Sequence, residues 1–510
     1  MNFSWTKRVS GRVAGRVSAV WLGLGLFTAL SVAQKPLTVT ILHTNDLHAH
    51  VEPTAIKGKT YGGYARHATL IQRVRAQEKN VLLLNAGDVF QGTLFFNMYD
   101  GLADGMILNA MGYQAQTLGN HEFDRGIPAL VDYAKRVNYP LLASNIDMSK
   151  EPELAKVVKP YTILEVEKQK IGVVGVITDT TPQITILGDS MKFYAHLASV
   201  QKSVDELTKQ GVNKIIVMSH IGYDDDKELA AKLKDVDLII GGHSHTPLGT
   251  PALEGWRPAG GEYPTYVKDA KGFSVPIVQA WEWGKVMGRL KLQFDAKGNL
   301  SKVLEAEPMV VGPEIPEDPK IAALVDAFRK PIEAMGNAQI GSSEAAVTDR
   351  VKVGYWIADS YLAATAKLGV TAAFMNPGGV RANMEAGKVT YGMANAVCPF
   401  RNTITIVELT GAEVVTLINE SKGGIIPSVG TSFMMAGGSA RNVKLGGAAL
   451  DEAKTYKIAV NNFMAGGGDG LNVLKGAKKL DTGIIDLDAF VEFIKVNSPL
   501  KPSNEIRSGR

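Results

Sequence analysis

The sequence predicts a two-domain α/β protein with a helix connecting the domains, and three observations predict it. From Leu37 to about Phe294, apolar runs suited to strands alternate with polar stretches of helical period. Around Val311–Asp318 the composition shifts to VGPEIPED, which reads as a linker, and from about Gly341 a second α/β alternation begins. At 510 residues the chain is also too long for one ordinary hydrophobic core. We expect a leader over residues 1–34, a first domain over 35–312, a linker and connecting helix over 313–340, and a second domain over 341–510.

The leader has four bases, Lys7, Arg8, Arg12 and Arg16, and the uncharged run Val17–Ala33, which ends in Ser31-Val32-Ala33, a small-x-small pattern. Cleavage is expected near Ala33/Gln34, with a retained anchor as the alternative, because the run is short for a bilayer and rich in Gly, Ser and Ala. The expected destination is the periplasm, the cell envelope or the exterior, with no stable membrane span after cleavage. Beyond the leader the chain carries 51 bases and 51 acids, so charge offers no ground for a nucleic-acid polymer as partner. Its single cysteine, Cys398, can form no intrachain disulfide and reads as a small buried apolar residue.

In the first domain, the runs LTVTILHTND, VLLLNAGD, KIIVMSH and VDLIIGGHSH are rich in Val, Ile or Leu, as strands buried on both faces should be. Each runs into His, Asp or Gly at its carboxyl end, where open α/β sheets bind ligands. All nine histidines lie at or before position 245, and seven of them (His43, His48, His50, His121, His220, His243, His245) sit at or beside these polar ends. Asp46 lies two residues before His48, so both side chains can leave one strand end on the same side. Asp88 can lend one oxygen to each of two ions, and Asn120 offers a neutral carbonyl oxygen. Divalent cations take such mixed donors from several rigid elements. Seven donors with one shared allow four contacts per ion. A dinuclear centre is therefore expected, of the kind that holds two ions roughly 3.5–4 Å apart for in-line attack on phosphorus. Zinc, manganese, cobalt and iron all suit the donors.

The blocks DLH, GDVFQG, GNHEFD, SHIG and GGHSH, in that order, resemble the calcineurin-like metallophosphoesterases. The resemblance implies a β-sandwich flanked by helices, with one ion on Asp46, His48, Asp88 and His245 and the other on Asp88, Asn120, His220 and His243. It also implies that His121 is an acid–base group and that Asp124 bonds its second ring nitrogen and fixes the tautomer. That pair would stabilise the phosphoryl transition state and assist the leaving group, while the metals supply hydroxide. Glu122 and Arg125 are expected to brace the loop or pair at the surface, and His43 and His50 to support the ligands or the fold.

In the connecting segment, Ile321, Leu324, Val325, Phe328, Ile332 and Met335 recur at helical spacing, and Pro331 is expected to kink or interrupt the helix. The second domain carries NPGGVR (Asn376–Arg381), CPFRN (Cys398–Asn402) and NNFMAGGGDG (Asn461–Gly470), which resemble the substrate loops of the secreted 5′-nucleotidase and UDP-sugar hydrolase family. Phe400 and Phe463 could stack on both faces of a base, worth roughly 1–3 kcal/mol per base. Arg381, after a Gly pair, suits bidentate contact with phosphate, and Asp469 could accept from ribose hydroxyls. The resemblance adds Asn376 on the base or ribose side and Arg350 as a phosphate contact. Taken singly, either Phe could be core and GGGDG a plain turn; three motifs in order behind five others favour a nucleotide site. Two departures bear on substrate preference: Arg401 stands where the family commonly has Gly, and Ser432–Asn442 matches its pattern poorly.

The expected function is an exported dinuclear-metal phosphohydrolase that converts nucleoside 5′-monophosphates to nucleoside and phosphate, with domain closure about the connecting helix. UDP-sugar cleavage and 2′,3′-cyclic nucleotide hydrolysis are alternatives on the same centre. A secreted nucleotide-binding protein is the alternative of another class, and the complete set of ligands and acid–base residues stands against it. A thiosulfate-ester hydrolase would need no base clamp.

Overall fold

Strand Leu37–Thr44 shows how the first domain is built: Leu37, Val39 and Ile41 enter one hydrophobic core, while Leu42 enters another on the opposite face. In this computed structural model, which describes residues 35–185, 187 and 190–509, that strand lies inside a seven-stranded sheet. It pairs antiparallel with Val286–Phe294 and parallel with Val81–Asn85, and the parallel run continues to Ala115–Thr117 and Leu141–Leu142. A second sheet, of six strands, runs parallel from Gln169–Ile177 through Ile215–His220 and Leu238–Ile240 to Ser274–Val278.

The two sheets share one core, to which Leu82, Leu84 and Ala115 contribute from the first and Val173, Ile216, Met218 and Ile240 from the second. Helices Tyr64–Gln77 and Leu102–Met111 cover the outer face of the first sheet, and His196–Lys209 and Tyr223–Lys232 that of the second. The architecture is thus a β-sandwich flanked by helices, with strands buried on both faces as their Val/Ile/Leu content requires. The expected leader lies outside the described residues. Among the described residues no helix is long and apolar enough to cross a membrane.

The connecting helix spans Pro319–Asn337 and continues through Pro331, so of the kink or interruption expected from local sequence the interruption does not occur. Asp318 caps it, accepting from the Lys320 and Ile321 N–H groups at 3.1 and 2.9 Å, and Pro319 occupies the first turn, where a missing N–H costs nothing. Tertiary packing overrides the roughly 3 kcal/mol penalty of an interior proline. Ile321 and Val325 before Pro331, and Ile332 and Gly336 after it, are all buried. Close approach also requires Gly336, since a Cβ there would fall 2.8 Å from Leu94 Cδ1 of the first domain.

In the second domain a five-stranded sheet runs in the order Ile426–Pro427, Ala372–Met375, Thr455–Asn461, Thr403–Thr410, Lys478–Ile485. Helices Arg350–Thr365 and Asp486–Val496 pack on one face and Gly411–Glu420 on the other. Its parallel pair, Ala372–Met375 with Thr455–Asn461, delivers Asn376 and Asn461 side by side at the carboxyl ends.

The chain's last described residues are stitched to this domain. Arg507 makes a fork to Asp359, with 2.7 and 3.1 Å contacts, and lies 4.6 Å over the Tyr355 ring. Removing the cation strands a largely buried carboxylate, so Arg507→Ala should cost about 3 kcal/mol. The urea midpoint is expected to fall at constant slope; an unchanged midpoint would show that solvent compensates Asp359.

Candidate metal centre and substrate cleft

The parallel strands of the two sheets end on one rim, and the polar residues that follow them meet there. Asp46, His48, Asp88, His243 and His245 all have left-handed backbone, with φ between +48° and +73°. Each such non-glycine residue costs roughly 1–3 kcal/mol, and strain of this kind collects at functional sites.

The donor atoms of Asp46, His48, Asp88 and His245 lie within 4.8 Å of one another, and so do those of Asp88, His220 and His243. Asp88 belongs to both groups. His245 Nε2 is 3.2 Å from Asp46 Oδ1 and 3.0 Å from His48 Nε2, while His220 Nε2 is 3.0 Å from Asp88 Oδ2. Asn120 Oδ1 is buried without a hydrogen-bond partner. Imidazole nitrogens turned toward one another beside carboxylates and an unpartnered carbonyl oxygen fit divalent cations.

Two of the imidazoles, those of His48 and His220, are aimed by a backbone carbonyl on the other ring nitrogen. His48 Nδ1 bonds the Phe90 carbonyl at 3.1 Å and His220 Nδ1 the Ala86 carbonyl at 2.7 Å, which leaves both Nε2 atoms for the centre. Burial would raise the Asp88 carboxyl, but the imidazoles around it, His220 foremost, hold it well below the usual carboxylate range. Gly119 is required here because a Cβ would fall 2.2 Å from Asp88 Oδ1. Glu122 proves to be a loop brace: its buried carboxylate accepts the N–H groups of Asp88, Val89 and Gly119 at 3.0, 2.7 and 2.5 Å. Arg125 pairs with Asp100 at 2.9 Å near the surface. His43 bonds Tyr263 at 2.7 Å, a role in the fold, whereas His50 bonds the His48 carbonyl at 2.8 Å.

His121 Nδ1 lies 2.7 Å from Asp124 Oδ2, and the His121 N–H donates to Asp88 Oδ1 at 3.0 Å. Burial alone would lower this imidazole, but the Asp124 and Asp88 carboxylates overcome it and hold the ring up at about 9.

A cavity of about 290 Å³ opens between the domains. The first domain lines it with Asn120, His121, Asp124 and His243, and the second with Asn376, Arg381, Phe400, Phe463 and Asp469. Phe463 lies against Gly468, where a Cβ would come within 2.5 Å of the ring. The Phe400 ring centre is 6.4 Å from that of His121 and 5.7 Å from the Arg381 guanidinium. Asn461 donates to Asn376 at 2.9 Å and Asn376 to Asp469 at 2.8 Å, so the Asp469 carboxylate is aimed by a chain of two amides.

Arg350 stands outside this lining, exposed at the start of its helix. It is near enough that burial, then its charge, pulls the Arg381 guanidinium below its ordinary value. Arg401 turns to the first domain and donates to the Asn97 carbonyl at 3.4 Å; Asn97 also bonds Asn395 across the cleft. Gly378, Gly379, Asn402 and Thr185 complete the lining, and the last two were not singled out from sequence. Asn402 lies inside the CPFRN motif, where neighbourhood could have suggested it; Thr185 carries no signal.

Residues 39–247 match the family model for calcineurin-like phosphoesterases, and residues 333–476 match that for the 5′-nucleotidase C-terminal domain. A snake venom 5′-nucleotidase from Gloydius brevicauda is 33% identical, over 96% of this chain and 91% of its own. The 5′-nucleotidase of Bos taurus is 33% identical over 95% of this chain and 93% of its own. The crystal structure of a 5′-nucleotidase precursor from Thermus thermophilus has a TM-score of 0.82 at 37% identity, covering 93% of this chain and 99% of that one.

Proposed function

The chain belongs to the 5′-nucleotidase family of metal-dependent phosphoester hydrolases, and from that premise we propose that it hydrolyses nucleoside 5′-monophosphates to nucleoside and phosphate. One observation carries the reading: a single cavity is lined by His121, Asn120 and His243 beside the donor cluster and, opposite them, by two phenylalanines, an arginine and an aimed carboxylate. A plain phosphate ester would need only the first set.

Asp46, His48, Asp88 and His245 would hold one divalent ion, and Asp88, Asn120, His220 and His243 a second, drawn from zinc, manganese, cobalt or iron. When bound, such ions supply Lewis acidity and activate water for in-line attack on phosphorus. Two carboxylates only half balance two divalent ions, which favours the dianion of a phosphate monoester over the single charge of a diester. Arg381 adds a bidentate contact to the phosphate. Phe400 and Phe463 take the base between them, and Asp469 accepts from the ribose hydroxyls. His121, held at Nδ1 by Asp124, gives its Nε2 proton to the departing 5′ oxygen.

The test is phosphate release from AMP by protein stripped with chelator and then resupplied with one divalent metal at a time. Release should vanish on stripping and return with a working cation; a folded, metal-loaded protein that leaves AMP intact would sink the proposal. Phe463→Ala should raise KM for AMP about tenfold or more, the worth of one stacked base, and largely spare kcat. An unchanged KM would point to a substrate without a base.

A further inference from the structure

Beneath the donor cluster, the segment Trp281–Lys285 (WEWGK) carries the chain from the second sheet to the first, between strands Ser274–Val278 and Val286–Phe294. Glu282 Oε2 lies 2.5 Å from His245 Nδ1, and its other oxygen accepts from Lys285 Nζ at 2.7 Å. Lys285 is only 2% exposed. Its ammonium sits 3.7 Å from the Trp281 ring centre and 4.5 Å from that of Trp283. Both tryptophans adopt left-handed backbone, φ +60° and +58°, which bulky residues avoid unless the surroundings impose it.

The same segment grips the ligand backbone. The Trp283 N–H donates to the Asp46 carbonyl at 2.7 Å, and Asn45 Nδ2 donates to the Trp281 carbonyl at 2.6 Å. Trp283 stacks on His50 at 4.4 Å, and His50 bonds the His48 carbonyl at 2.8 Å. Asp46, His48 and His245 thus all lean on five consecutive residues. Among the described residues, no hydrogen bond joins Asn120, His220 or His243 to that segment.

We propose that Glu282 is a positioning residue for one ion only, the one held by Asp46, His48, Asp88 and His245, and that Lys285, caged by Trp281 and Trp283, holds Glu282 in place. Glu282 accepts the Nδ1 proton of His245 and so leaves the Nε2 lone pair for the cluster, in a geometry the cage does not let rotate. A buried lysine is costly unless its charge is compensated, and here the carboxylate and two ring faces compensate it at the one place where they also orient a ligand. The inference rests on the two-ion reading above and adds which ion this segment governs.

The test uses the full chain, stripped of metal and titrated with Zn²⁺ alone against a competing chelator. Wild type should bind two ions. Glu282→Ala should weaken one of them about 10–100-fold and leave the other unchanged. Glu282→Gln, which keeps the volume and folds where alanine does not, should weaken the same ion about tenfold. Lys285→Met should also weaken it, and the double variant with Glu282→Gln should be no worse than the weaker-binding single. Unchanged affinity in a folded Glu282 variant would overturn the inference, as would equal weakening of both ions, the mark of a merely structural role. If wild type binds two ions and the variants match it, this inference alone falls; if wild type binds none, the metal reading falls with it.

Discussion

Asp88→Asn should strip the protein of both ions and lower kcat/KM for AMP by about 10⁴-fold at limiting metal. Loss of an outer partner of a metal ligand typically costs about 10–100-fold in affinity. Asp88 is closer than that, since its oxygens belong to both donor groups, so a factor of about 100 at each position compounds to about 10⁴. Asparagine preserves the volume but removes the charge that the cluster needs. Asp88 Oδ1 also accepts the His121 N–H at 3.0 Å, and an amide placed there can present its NH₂ instead. Elemental analysis of the purified variant checks the metal loss, and steady-state kinetics at limiting metal checks the rest. Retention of one full equivalent would show that the two positions do not share this carboxylate.

The residues that proved easiest to read in the sequence are those that follow buried strands. A strand covered on both faces has to be apolar, so the polar residues at its carboxyl end or just past it are conspicuous, and Asp46, Asp88, Asn120, His220, His243 and His245 all stand out this way. The connecting helix was legible from its period, but its passage through Pro331 was not. Local propensity argues for a break there, and only the packing of Ile332 and Gly336 against other elements overrides it. Arg401 has the same lesson: its partner is a carbonyl 304 residues away, and no local pattern encodes a contact across two domains. Glu282 was missed because its meaning is set by the sandwich. It stands 37 residues beyond His245, and the strands that bring it back, Ser274–Val278 and Val286–Phe294, were not singled out in the sequence. Arg350, which a resemblance assigns to phosphate, stands outside the cavity lining here but close enough to Arg381 for its charge to act there, a relation that local sequence does not encode.

His121→Ala should lower kcat for AMP by about 10²–10⁴-fold with little change in KM, because a proton transferred to the leaving oxygen matters in the transition state and not in the bound substrate. The leaving group distinguishes this role from simple charge stabilisation. A nucleoside 5′ oxygen departs as a poor alkoxide unless it is protonated, whereas a nitrophenolate departs unaided. On an aryl phosphate the same variant should therefore lose far less, on the order of tenfold. Asp124→Asn should fall between the two, since an amide can still bond Nδ1 at the 2.7 Å contact but no longer holds the ring in its charged form. Equal losses on both substrates would move His121 from proton donor to electrostatic partner of the phosphoryl group. No loss on either would remove it from the chemistry, and the partly buried link from Asp124 through His121 to Asp88 would then serve only to hold the Asn120 loop against the metal centre.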